Sequence, residues 1–91
     1  MNLKTRLVRR NDIMTADMNG SAVTMDIATG KYYNLGETGG AIWNLLDQEK
    51  TVEELIVALT AEYNISKEQC AKEMIPFLES LVKKGLLIIR K

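Results

Sequence analysis

Asn19-Gly20, set between two short alternating runs, constrains this chain more than any other feature. Both residues tolerate positive φ, which the two-residue turns of antiparallel hairpins require. The flanking runs, 12–18 (DIMTADM) and 22–28 (AVTMDIA), are therefore expected to pair as a hairpin. In the second run Val23, Met25 and Ile27 alternate with Thr24 and Asp26. That period predicts an apolar face turned inward and a polar face turned to water. Thr29-Gly30 offers a second turn, and Lys31–Leu35 (KYYNL) a third strand. Three sequential strands with tight turns make an antiparallel meander, with the second run central and the third at an edge.

Beyond Gly36 the pattern changes from strands to helices. A first helix is expected from Glu37 or Thr38 through Gln48, with Ile42, Leu45 and Leu46 inward. Gly39 and Gly40 weaken its first turn by up to about 1 kcal/mol each if they lie inside the helix. Thr51-Val-Glu-Glu54 is a capping box, in which a Thr side chain and a Glu three residues on satisfy each other's free amides. It opens a second helix whose Val52, Leu55, Ile56, Leu59 and Tyr63 form one apolar stripe. Ser66-Lys-Glu-Gln69 has the same form and opens a third helix to about Lys84, closed by Gly85. Leu86–Arg90 reads as a short closing strand or a packed tail. The third helix carries two adjacent apolar stripes, wider than one core face needs, and holds Pro76 in its interior. An interior proline removes a backbone bond and costs roughly 3 kcal/mol in a straight helix. It signals either a kink that wraps the helix round the core or a stripe that lines a groove.

The expected fold is one α+β domain over residues 1–91, winged helix-turn-helix-like: a three-stranded antiparallel β-meander followed by three α-helices. Residues 1–11 are expected to form a flexible arm, of which 3–8 is a candidate cover for one sheet edge. A chain of 91 residues has room for one such domain and buries only about 60–65% of its unfolded surface.

Several chemistries are excluded by what is missing. The chain has no histidine, so Ser/His/Asp triads, Cys/His dyads and His-ligated zinc are unavailable. Its one cysteine, Cys70, lies on the apolar stripe of the third helix and reads as a small buried hydrophobe. Adjacent Glu53 and Glu54 point about 100° apart on a helix and are explained by capping and the helix dipole. Gly36-Glu-Thr-Gly-Gly40 lacks the spacing and lysine of a phosphate loop and reads as a strand-to-helix turn. No catalytic residue, metal or cofactor is expected. The longest apolar run, Leu55–Leu59, is far short of the roughly 18 residues of a membrane span. With no apolar signal segment either, a cytoplasmic protein without membrane contact is expected.

Charge bears on nucleic acid. Twelve basic residues balance twelve acidic ones, but residues 47–79 hold eight acids against three bases, a net of −5. Phosphate binding requires the opposite sign. A winged-helix DNA-binding regulator therefore stands as the alternative reading, and no nucleic-acid partner is expected.

Peptide binding fits better. The third strand has no proline, no bulge signal and only Lys31 as a charge, so it lacks the usual guards of an edge. Such an edge aggregates, is covered by its own chain or accepts a partner strand. About five backbone hydrogen bonds at roughly 1 kcal/mol each barely meet the roughly 4–15 kcal/mol lost on association. Apolar pockets must supply the rest, at about 1.5–3 kcal/mol per buried side chain, and the spare stripe of the third helix is where they would lie.

These features occur in a particular order: Ile27-Ala-Thr-Gly30-Lys-Tyr-Tyr33-Asn-Leu35, Glu37-Thr38, Ile42-Trp43-Asn-Leu45-Leu46 and Thr51-Val-Glu-Glu-Leu55. In that order they resemble the PqqD-like family, the precursor-peptide recognition elements of pathways that modify ribosomally made peptides. The resemblance extends over roughly residues 12–90. Many members have asparagine where this chain has Gly36, and Tyr33–Gly40 looks most like the free-standing recognition proteins of lasso-peptide clusters. The resemblance implies a non-catalytic adaptor that binds the leader of a precursor peptide. It implies presentation of that leader to a leader-cleaving cysteine peptidase, with an ATP-dependent cyclase closing the ring. A radical-SAM or other peptide-modifying enzyme is the alternative partner. The leader is then expected to pair antiparallel with Lys31, Tyr32, Tyr33, Asn34 and Leu35. Its apolar side chains, a tyrosine and a proline among them, would enter between that strand and the third helix. There Cys70, Met74 and Phe77 form one stripe, with Gln69 and Glu73 at the rim. Tyr33 and Leu35 share one face of the strand and Tyr32 the other; which of them faces the groove stays open at this point. Core packing is the competing role for Met74 and Phe77, and the expected role for Trp43.

Overall fold

The computed structural model describes residues 1–90; Lys91 lies outside the described residues. Its elements are β1 (Arg6–Arg9), β2 (Ile13–Met18), β3 (Ser21–Asp26), β4 (Tyr32–Leu35), α1 (Gly36–Leu45), β5 (Lys50–Thr51), α2 (Val52–Glu62), α3 (Lys67–Lys83) and β6 (Leu87–Arg90). The meander is present as an antiparallel β2-β3-β4 sheet with β3 in the centre. Asn19 and Gly20 turn the first hairpin with φ of 59° and 86°. The α+β class, antiparallel strands followed by helices, is as expected.

The arm is a correction. Residues 6–9, placed in it by sequence, are the middle strand of a second sheet, β5-β1-β6. Leu7 is fully buried there, which offsets the entropy of ordering the segment. The tail takes the strand form as β6, pairing Val8 with Ile88 and Leu7 with Ile89. Because the arm is used in this sheet, residues 3–8 cover no edge of the meander.

The inward face of β3 is a second correction. The buried side chains are Ala22, Thr24 and Asp26, while Val23 and Met25 lie on the half-exposed outer face. Packing decides this. Helix α1 crosses the sheet so closely that a Cβ on Gly40 would sit 2.9 Å from the Ala22 Cβ, and no larger side chain fits between them. The two polar residues on this face are satisfied. The Thr24 hydroxyl donates to the Tyr33 carbonyl at 3.3 Å. The Asp26 carboxylate accepts from the Ala28 amide at 3.0 Å, and Arg10 Nη2 lies 2.5 Å from its Oδ1. A buried charge without such a partner would be strongly destabilising.

The helices begin as their caps dictate. The Thr51 capping box is complete: its hydroxyl accepts from Glu54 N at 3.1 Å and Glu54 Oε1 accepts from Thr51 N at 2.8 Å. At Ser66 only half the expected box forms, Ser66 Oγ accepting from Gln69 N at 3.1 Å. Helix α3 runs through Pro76 for 17 residues, with that proline turned to solvent. Gly85, at φ 80°, ends it: Leu86 N donates to Leu81 O and Gly85 N to Val82 O, a Schellman motif. Helix α1 stops three residues earlier than expected, and α2 ends at Glu62, which leaves Tyr63 outside its apolar stripe.

The core lies between the two sheets and the helices. Trp43 is wholly buried and fills its centre with Leu7, Leu46, Leu55, Leu78 and Leu81. Trp43 Nε1 donates to Thr15 Oγ1 at 2.8 Å, and the Arg9 guanidinium stacks 4.6 Å from the indole centroid while donating to the Trp43 carbonyl. Arg10, through Asp26, ties the chain after β1 to the first sheet, and Arg9 ties β1 to α1. Among the described residues, no helix is long and apolar enough to cross a membrane.

Candidate peptide-binding groove

The site starts from hydrogen-bond parity. Asp26 N donates to Lys31 O, and Ile27 N donates to Asp12 O. In an antiparallel pair, bonded and non-bonded positions alternate. The β3–β4 register then pairs Thr24 with Tyr33 inside the sheet and turns the N–H and C=O of Tyr32 and Asn34 outward. Among the described residues β4 pairs with β3 alone, so this edge is open. It offers four backbone groups, from Tyr32 and Asn34, and not the five bonds expected from a strand of residues 31–35.

The side chains divide the other way. Tyr33 and Leu35 lie on the inner face with Thr24, and Tyr32 and Asn34 on the outer face with Met25 and Val23. Tyr33 thus shares the face of Leu35 and Tyr32 takes the other, and neither tyrosine lines the groove that Leu35 borders. Leu35 lines an apolar groove of about 430 Å³ together with Gly39 and Ile42 of α1, Leu59 of α2, Ile65, and Cys70, Glu73, Met74 and Phe77 of α3. Thr38 and Tyr63 complete its wall. Gly39 sets the floor, because a Cβ there would stand 2.9 Å from Phe77 Cζ and 3.1 Å from Leu35 Cβ. At the other end of α3, Lys84 Nζ lies 5.4 Å from the Tyr33 ring centroid.

Of the ten residues expected at the site, Leu35, Cys70, Glu73, Met74 and Phe77 come together in the groove. Tyr32 and Asn34 stand on its open strand edge, with Asn34 Oδ1 accepting from Gly36 N at 2.9 Å. Tyr33 supports β4 from beneath. Lys31 is exposed just before β4, and Gln69 is exposed in the first turn of α3; neither lines the groove. Met74, only 2% exposed, belongs to the core and the groove wall at once, whereas Phe77 is half-buried at the lip. Sequence reasoning missed Thr38, Gly39, Ile42, Leu59, Tyr63 and Ile65. The available signal was the Gly39-Gly40 pair, since two glycines in a helix's first turn indicate close approach as well as weak helix propensity.

Among the described residues, Glu73 is the only charged one lining the groove. Burial, and then the nearby Glu73 charge, push the Cys70 thiol up from its ordinary value, away from the reactive thiolate. Among the described residues no group of acidic or cysteine side chains is placed to hold a metal. What the arrangement offers is an apolar trough beside unpaired backbone donors and acceptors.

A small α+β domain with a strand edge flanking an apolar trough is a peptide-recognition architecture. The model of the PqqD family, described as coenzyme PQQ synthesis protein D, matches residues 21–87, and the chain belongs to that family. Two solved structures are similar. One is "TbiB1 in complex with the TbiA(beta) leader peptide", 30% identical, covering 88% of this chain and 93% of that one, with a TM-score of 0.80. The other is "lasso peptide synthetase B1 complexed with the leader peptide", 21% identical over 90% of this chain and 96% of that one, with a TM-score of 0.73; this likeness concerns the fold. No curated protein matched.

Proposed function

We propose that this chain is a leader-binding adaptor of lasso-peptide biosynthesis: it takes the leader of a ribosomally made precursor as an added strand on β4. The observation that carries this reading is the juxtaposition of the open β4 edge and the groove against α3. The backbone groups of Tyr32 and Asn34 hold the added strand, at about 1 kcal/mol per bond. Its inward side chains enter the trough beside Leu35, Met74 and Phe77, which supplies the remaining affinity. The likeness, at 30% identity, to a chain solved with a leader peptide supports the same ligand. The chain does no chemistry in this reading. It raises the local concentration of the precursor at a leader-cleaving cysteine peptidase and an ATP-dependent cyclase. A DNA-binding role gains no support, since residues 47–79, which include α2 and most of α3, are net acidic.

The test is fluorescence anisotropy of a labelled leader, from the precursor encoded beside this chain's gene, at near-physiological salt. Saturation in the micromolar range or tighter, about −8 kcal/mol or better, is the expected result. A folded protein that leaves that leader unbound would remove the lasso assignment, and leaders of radical-SAM and other pathways would be titrated next.

A further inference from the structure

The outer face of the meander is unusual for a wet sheet surface. The register aligns Met14 of β2, Met25 of β3 and Tyr32 of β4 in one row across all three strands. Tyr32 is 70% exposed and Met14 56%. No residue on that face of the three strands is charged, in a chain whose charged residues make up 26% of the total. The row ends at the open edge, where a fourth strand would continue it. The Tyr32 N–H and C=O point to that edge, so the residue of an added antiparallel strand that bonds to them stands directly opposite Tyr32, with its Cα about 5.5 Å away and its side chain on the same outer face. Opposed residues on one face are the unit of sheet stabilisation, and an aromatic ring reaches diagonal neighbours as well.

We propose that a strand added to β4 is read on both of its faces: the residue opposite Tyr32 extends the Met14–Met25–Tyr32 row, and that position takes an apolar, methionine or aromatic side chain and rejects a charged one. The inference rests on the reading that a leader peptide adds to β4, and it deepens that reading. Side chains in the trough alternate along the peptide, at every second residue. The outward position opposite Tyr32 adjoins the inward one opposite Tyr33, on the side away from Leu35. Specificity then comes from alternate inward residues held by the groove and from one outward residue beside them, held by an exposed tyrosine at the sheet edge. Tyr32 is thus a specificity-determining residue outside the groove.

The experiment uses the full chain and the synthetic fluorescent leader, with a series in which each leader residue is changed in turn to aspartate. Three proteins are compared: the unchanged chain, Tyr32→Thr, which keeps strand propensity, and Met18→Thr. Met18 lies on the same outer face but opposite Ser21, away from β4. With the unchanged chain, aspartate should be costly at two alternate inward positions and also at the outward one opposite Tyr32, just beyond them. Tyr32→Thr should bind the parent leader roughly three- to tenfold more weakly and should lose the aspartate penalty at that outward position alone. Met18→Thr should match the unchanged chain. Tyr32→Thr binding within twofold, an outward position that tolerates aspartate, or an equal loss in Met18→Thr would each overturn the inference while leaving leader binding intact. If the unchanged chain binds no leader, the proposed function itself fails and this inference falls with it.

Discussion

Strands β2 and β4 are both edges of one sheet, and each leaves alternate backbone groups unpaired. On β4 these belong to Tyr32 and Asn34; on β2, by the same parity, to Ile13, Thr15 and Asp17. What lies beside them differs. The β4 edge borders the apolar trough against α3. The β2 edge borders a depression lined by Thr15, Asp17, Glu37 and Asn44, where Asp17 carries a charge and Thr15 Oγ1 is occupied by Trp43 Nε1. An inward or edge-borne charge is one way sheets discourage pairing. Backbone groups alone scarcely repay association, so an edge becomes a binding site only where apolar pockets adjoin it. The contrast between these two edges teaches which of two equal ladders a peptide can use.

Four experiments test that contrast. The largest effect is expected from Phe77→Asp at the lip of the trough. Losing one buried aromatic contact of about 1.5–3 kcal/mol should weaken leader binding roughly 10- to 100-fold, with the far-ultraviolet dichroism unchanged. Because Phe77 is only half-buried, it separates binding from folding better than Met74, which the core needs. Retained affinity would show that the trough is not the site.

Proline substitutions examine the ladder next. Tyr33→Pro breaks a bond inside the sheet and should cost about 1–3 kcal/mol of stability in a urea titration. Tyr32→Pro removes an edge donor instead. It should bind leader about fivefold more weakly than Tyr32→Thr, at nearly the same melting temperature. Equal binding by the two Tyr32 variants would argue against strand addition.

The third concerns the support behind β4. The Arg10 side chain, and less strongly the Ala28 amide, holds the Asp26 carboxyl below the usual carboxylate range, although burial acts the other way. A depressed carboxylate contributes stability that is complete above its unfolded value, near 3.8, and is lost as pH falls through the lower folded value. The melting temperature should therefore hold steady from neutral pH to about 5 and drop below 4. Asp26→Asn should be less stable at neutral pH and show a shallower acid drop. A parallel pair of pH curves would mean that Asp26 does not carry the acid sensitivity.

The smallest effect is expected at the other edge. Asp17→Asn keeps the acceptor that caps Gly20 N at 3.0 Å and removes the charge. Leader affinity should stay within about twofold, a change below 0.5 kcal/mol. A large change would mean that the peptide also uses β2.

Much of this architecture was legible from local signals. The Asn19-Gly20 hairpin, the Thr51 cap, the Gly85 stop and the exposed edge at Tyr32–Leu35 each depend on a few neighbouring residues. Half of the groove was legible as well, because Cys70, Met74 and Phe77 share a helical stripe that the sequence displays. The opposite wall was not. Gly39 and Ile42 come from α1, Leu59 from α2 and Tyr63 from just beyond its end, and nothing in their own spacing says that they converge.

The sequence by itself determined where the chain turns, which segments are strands or helices, and that one strand would end unguarded. These are set by backbone dihedral preferences, capping bonds and hydrophobic period, all short-range. The tertiary structure decided which face of β3 is inside and whether the first ten residues belong to the fold. Alternation marks two faces of a strand without saying which one the core takes. Here the close approach of Gly40 to Ala22, and an arginine from a distant segment beside Asp26, selected the polar one. Strand β1 likewise exists only because β5 and β6, remote along the chain, meet on either side of it and bury Leu7.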